Sequence, residues 1–61
     1  MKPGEKLVRQ LISELNERVT ALDSAVRDGS IRSHYHRYRT RWLRYDYEKL
    51  EAVARRWGFK V

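Results

Sequence analysis

Apolar residues recur along the first half of the chain at alternating intervals of four and three positions. The spacing places six side chains along one seam of an α-helix, as in a coiled coil: Val8, Ile12, Leu15, Val19, Leu22 and Val26. Pro3 and Gly4 stand where such a helix begins, and Glu5 suits the positive end of its dipole. We therefore predict a helix over about residues 4–28.

The tripeptide Asp28-Gly29-Ser30 interrupts this pattern. Gly29 can adopt the left-handed conformation that ends a helix, and Ser30 can cap the next one. From about residue 31 to residue 57 the chain contains neither glycine nor proline, which predicts a second long helix. Gly58 ends it, and Phe59 in the short tail 58–61 can fold back onto its last turn. Because the turn at 28–30 is short, the two helices are expected to run antiparallel.

Two apolar stripes run along adjoining faces of the second predicted helix. The first contains Ile31, Tyr35, Tyr38, Trp42 and Tyr45, and the second contains Leu43, Tyr47, Leu50, Ala54 and Trp57. One flat partner cannot cover both stripes. We expect the first to face the hairpin mate, with Leu22 near Tyr35, Val19 near Tyr38 and Leu15 near Trp42. The second stripe is then left for another subunit, apart from Leu50, which is expected near Val8.

The fold class that follows is all-α, a single antiparallel two-helix hairpin. A chain of 61 residues buries only about 60% of the surface that it exposes when unfolded, so its stability alone is marginal. It has no cysteine, which excludes disulfides and thiolate metal sites. We therefore expect two copies to pair into a four-helix bundle. No motif links the chain to a family, and small dimeric hairpins that bind nucleic acid, such as plasmid copy-number regulators, are similar in topology alone.

Charge is distributed very unevenly between the two halves. Residues 1–28 hold five basic and five acidic side chains, whereas residues 29–61 carry the whole net charge of +6. Residues 29–45, GSIRSHYHRYRTRWLRY, contain five arginines, two histidines, four aromatic residues and no acid. Uncompensated charge repels itself in a compact monomer, which indicates a polyanionic partner.

The basic side chains of this segment predict a nucleic-acid-binding helix, because arginine binds phosphate bidentately and stacks on bases. We expect two rows bordering the first stripe, with Arg37, Arg41 and Arg44 as the main contacts to DNA or RNA. Arg32, Arg39, His34 and His36 form the second set of candidates. The predicted contacts are to the phosphate backbone, because Tyr35, Tyr38 and Trp42 have the spacing of packed residues.

Other interpretations remain open on sequence alone. The arginines can instead form a solvated face with ion pairs to Glu14, Glu17 or Asp23, and the Tyr/Trp/Arg-rich helix can be a protein-docking surface of a small subunit, viral structural protein or inhibitor. His34 and His36 lie about 200° apart on a helix and cannot chelate one metal ion. Nothing indicates catalysis, a cofactor, a small-molecule substrate, a signal peptide or a membrane span, so a cytoplasmic, non-enzymatic protein is expected.

Overall fold

The computed structural model describes residues 2–61 as two antiparallel α-helices, α1 (Glu5–Arg27) and α2 (Ser33–Trp57), packed against each other. The hairpin is a rod that measures 42 × 16 × 11 Å along its principal axes. At its open end the Lys2 ammonium lies 3.4 Å from the carbonyl oxygen of Trp57. The prediction of an all-helical hairpin is confirmed.

The heptad positions of α1 form the face that packs against α2. Three of them, Val8, Ile12 and Leu15, are buried, and three nearer the turn are half-buried: Val19, Leu22 and Val26. The best-packed part of the core therefore lies in the half of the hairpin that is remote from the turn. Val8 and Ile12 form a cluster there with Ala54, which is only 1% exposed and lets the two helices approach closely.

The face of α2 that meets α1 is the second apolar stripe and not the first, so this part of the prediction is wrong. Leu43 and Ala54 are buried, and Tyr47 and Leu50 pack half-buried on the core side. The same face continues toward the turn through half-buried His36 and Thr40, at the same four-three spacing. It thus runs the whole length of α2, whereas the first stripe is broken by Lys49 one turn after Tyr45. Only a continuous face can cover the α1 seam.

The turn between the helices is longer than predicted, because Ser30 does not cap α2. Asp28 Oδ1 accepts hydrogen bonds from both the hydroxyl and the backbone N–H of Ser30, at 2.5 and 2.9 Å. These two bonds, that of the hydroxyl first, lower the pKa of the Asp28 carboxyl. With Ser30 held in this local turn, α2 begins at Ser33 after the extended residue Arg32. Gly29 has φ +84°, the left-handed conformation predicted for it.

The C-terminal end of α2 closes with a Schellman motif, as the Gly58-Phe59 pair predicts. Gly58 has φ +70°, and the N–H of Phe59 donates to the carbonyl oxygen of Ala54 at 2.8 Å. The motif turns the Phe59 ring toward α1, where it packs against the cluster that contains Val8 and Ile12. Phe59 therefore seals the open end of the hairpin, beyond its own helix.

Candidate nucleic-acid interface

An exposed row of aromatic side chains runs along the outer surface of α2. We call Tyr35, Tyr38, Trp42 and Tyr45 the aromatic ridge; each is about half exposed, with Trp42 at 54%. The Tyr38 and Trp42 rings meet edge to face with centroids 6.3 Å apart, and the Trp42 and Tyr45 rings do so at 5.7 Å. The expected packing of Tyr35, Tyr38 and Trp42 against α1 is therefore wrong for the hairpin.

The outward position of the ridge follows from helix geometry. At 100° per residue, its four members are centred about 140° around α2 from the face that contains Leu43, Tyr47 and Ala54. Since that face is covered by α1, the ridge points nearly away from it. A continuous row of large aromatic residues on such a surface is unusual in a stable monomer.

The arginines beside the ridge are exposed and have no acidic partner within 4.0 Å in the described part of the chain, residues 2–61. The five arginines among the predicted contacts are all exposed: Arg32, Arg37, Arg39, Arg41 and Arg44. Among residues 2–61, the ion pairs within 4.0 Å join Arg9 to Glu5 and His36 to Asp23, so none of the five takes part in one. The alternative in which Glu14, Glu17 or Asp23 neutralises these arginines is not what the structure shows. These five guanidinium groups therefore make no ion pair within 4.0 Å in residues 2–61.

Two of the arginines, Arg37 and Arg41, share a groove with part of the ridge. Together with His34, Tyr38 and Trp42 they line a shallow open groove on the surface of α2. The same two arginines also line the neighbouring groove, with Thr40 and Arg44. The structure thus brings together the main predicted contacts and the centre of the ridge. Arg32 and Arg39, on the opposite flank by their spacing, border the ridge from the other side.

His36 does not belong to this basic surface, although the sequence placed it beside Arg32 and Arg39. Its side chain is 22% exposed and faces α1, where Nε2 lies 2.6 Å from Asp23 Oδ1. Because a carboxylate only accepts hydrogen bonds, Nε2 carries the proton in this contact. His36 therefore joins the two helices, and its neighbour His34 is the histidine that stays exposed beside Arg37.

A second exposed apolar surface occupies the other end of the rod. We call Leu7, Leu11, Val53 and Trp57 the terminal patch; Trp57, predicted as core or interface, is 61% exposed. Leu11 lines a groove between the helices with Leu15 and Leu50, and helix spacing places the other three on that side, toward the chain ends. The groove is also lined by charged residues of both signs: Glu14, Arg18, Asp46 and Lys49.

The chain offers little else that carries chemistry. Among residues 2–61, no three His, Cys, Asp or Glu side chains are grouped so as to hold a metal ion. Neither helix of the described hairpin is long and apolar enough to cross a membrane. Its grooves are shallow and open to solvent. The aromatic ridge with its arginines and the terminal patch are therefore the two surfaces that need an explanation.

The chain matches no protein-family model, no curated protein sequence and no solved structure.

Proposed function

We propose that this protein is a small, non-enzymatic nucleic-acid-binding protein that contacts phosphates through the arginines of α2. Arg37, Arg41 and Arg44 form the main row, and Arg32 and Arg39 the second. The observation that carries the proposal is that all five arginines are exposed, lack a carboxylate partner within 4.0 Å among residues 2–61 and lie on the two flanks of the aromatic ridge on one helix. A guanidinium without a counter-charge is available for bidentate contacts to phosphate oxygens.

Such an interface has a characteristic salt dependence. Each phosphate that an arginine neutralises releases condensed counterions, so the logarithm of the affinity falls linearly with the logarithm of the salt concentration. Five contacts give a slope of about −4.5 on B-DNA and about −3.5 on a single strand. An acidic protein carries no comparable layer of condensed counterions, so a protein–protein contact through the same helix has a smaller slope.

The test is a titration of the full chain into labelled oligonucleotides at two salt concentrations, repeated with the double variant Arg37→Glu/Arg41→Glu. We expect the variant to lose most of the affinity while the helical content is unchanged. The matched control is Lys6→Glu/Arg27→Glu, which makes the same change in net charge at exposed positions of α1. Equal loss in both variants contradicts the proposed site, and a wild-type Kd weaker than about 10⁻⁴ M at low salt contradicts the function.

We further propose that two hairpins pair through the terminal patch into a four-helix bundle. The chain exposes 5196 Å², whereas a compact monomer of its mass exposes about 4200 Å². The excess of about 1000 Å² resembles the roughly 800 Å² that each partner buries in a standard interface. Charges of both signs around the patch allow one copy to complement another, whereas two ridges would bring arginines against arginines.

An alternative function is a protein-interaction module that docks through α2. It is favoured by the composition of the ridge, because exposed tryptophan, tyrosine and arginine are the residues enriched at interface hot spots. A protein partner for this surface has to be acidic. Binding to an acidic protein, together with no affinity for any nucleic acid at low salt, supports this alternative.

A further inference from the structure

The exposed rings of the aromatic ridge, in addition to its arginines, restrict which nucleic acid can bind there. Duplex DNA or RNA can satisfy the arginines through its phosphates, but its bases are stacked and paired, so their faces are closed to protein side chains. On a duplex, the half-exposed rings of Tyr38 and Trp42 would lie against charged backbone without a π-face to pack on. An unpaired strand offers both a phosphate backbone and free base faces.

We propose that the ridge binds single-stranded nucleic acid, with bases stacked on Trp42 and Tyr38 and phosphates held by Arg37 and Arg41. This inference rests on the proposed function and names the class of its ligand. The four side chains line one groove, so a nucleotide whose base lies on a ring has its phosphate within reach of a guanidinium.

The ring geometry leaves room for bases. Trp42 stands at interplanar angles of 89° to Tyr38 and 71° to Tyr45, so no ring of these two pairs is stacked in parallel on its neighbour. Each ring retains exposed surface toward solvent. From Tyr35 to Tyr45 the ridge extends about 15 Å along the helix at 1.5 Å per residue, enough for a short run of nucleotides.

A second copy of this chain is a poorer occupant of the ridge. Residues 29–45 contain five arginines and no acid, so two ridges in contact would bury like charges against each other. Such juxtaposition costs several kcal/mol, and the terminal patch offers self-association without that cost. Charge complementarity therefore favours a polyanion with unpaired bases as the ligand of the ridge.

The test follows the fluorescence of Trp42 and compares ligands with and without bases. The variant Trp57→Phe makes Trp42 the sole tryptophan and keeps an apolar ring at position 57. We expect oligothymidylate to quench Trp42 strongly, and heparin, a polyanion without bases, to leave its emission nearly unchanged. Trp42→Ala should weaken oligothymidylate binding by about 5- to 100-fold, the effect of losing one stacked base, and leave heparin binding unchanged.

Three outcomes overturn the inference. Equal weakening of oligothymidylate and heparin binding by Trp42→Ala, or unchanged Trp42 emission at saturation, would show that Trp42 does not stack on bases. A change of oligomeric state in Trp42→Ala, with nucleic-acid affinity intact, would make the ridge a protein interface. Retained binding in Arg37→Glu/Arg41→Glu is a different failure, because it removes the proposed function itself. Trp42→Tyr should restore most of the affinity, since it restores a ring.

Discussion

The imidazole of His36 lies 2.6 Å from the carboxylate of Asp23 and thereby joins the beginning of α2 to the last turns of α1. His36→Ala should lower the free energy of unfolding by about 0.5–1.5 kcal/mol, because a part-exposed charged hydrogen bond is lost. The measurement is urea denaturation followed by circular dichroism. His34→Ala is the matched control, since His34 is exposed, and it should change stability by less than about 0.5 kcal/mol. Equal effects of the two substitutions would contradict the observed contact.

The neighbours Trp42 and Leu43 test which side of α2 faces α1. Leu43→Ala should cost about 2–4 kcal/mol, because Leu43 is 6% exposed and its loss leaves a cavity. That is a large part of the about 3–9 kcal/mol expected for a domain of this length. Trp42→Ala removes a larger but half-exposed side chain and should cost well under half as much. Thermal or urea unfolding of both variants measures the two losses of stability. A larger loss in Trp42→Ala than in Leu43→Ala would refute the packing described.

The choice between the two stripes was the part of the fold that the sequence did not settle. Both have helical spacing and similar apolar content, so periodicity alone cannot rank them. Polar residues distinguish the two stripes. His36 and Thr40 extend the second stripe to the start of α2, whereas Lys49 interrupts the first. A search for apolar residues misses a half-buried histidine and threonine on the core side. Aromatic residues occur both in cores and on surfaces, so they do not identify the core face either.

Other features were readable because a single residue decides them locally. Gly29 and Gly58 adopt the left-handed conformations expected of them, and Phe59 makes the predicted contact. The exposed arginines of the candidate site also follow from composition, since so many cations cannot be buried in a small hairpin. His36 was misplaced because its partner Asp23 lies on the other helix, and a pairing between helices depends on their relative register.

Self-association can be tested by one substitution on each apolar surface. Leu7→Glu places a charge in the terminal patch, where the helix dipole tolerates an acid in the first turn, so helicity should be kept. We expect it to shift sedimentation from dimer to monomer. Tyr38→Glu on the aromatic ridge should leave the dimer intact. A wild-type protein that sediments as a monomer at micromolar concentration, or a dimer broken only by Tyr38→Glu, would contradict pairing through the terminal patch.

The contact between Ser30 and Asp28 in the turn should affect the stability of the protein at low pH. The hydroxyl and the backbone N–H of Ser30 both lower the pKa of Asp28, and Ser30→Ala removes the hydroxyl bond, the larger cause, so it should raise this pKa. A folded-state pKa below the unfolded one means that the contact stabilises the protein at neutral pH. This contribution is lost as the pH falls through the folded-state pKa. NMR titration of the Asp28 carboxyl measures the shift directly, and an identical midpoint in the variant would rule out the hydrogen bond from the Ser30 hydroxyl.

The concentration of buried side chains far from the turn has a consequence for how the hairpin opens. Closing the chain between Lys2 and Trp57, 55 residues apart, costs only about 1.2 kcal/mol more conformational entropy than closing it between Asp23 and His36, 13 apart. Full burial of a single valine or leucine outweighs that difference. The slowest-exchanging amides should therefore lie around Ile12 and Ala54. The turn should be the part of the hairpin that opens most often, although the residues beside it are the closest in sequence.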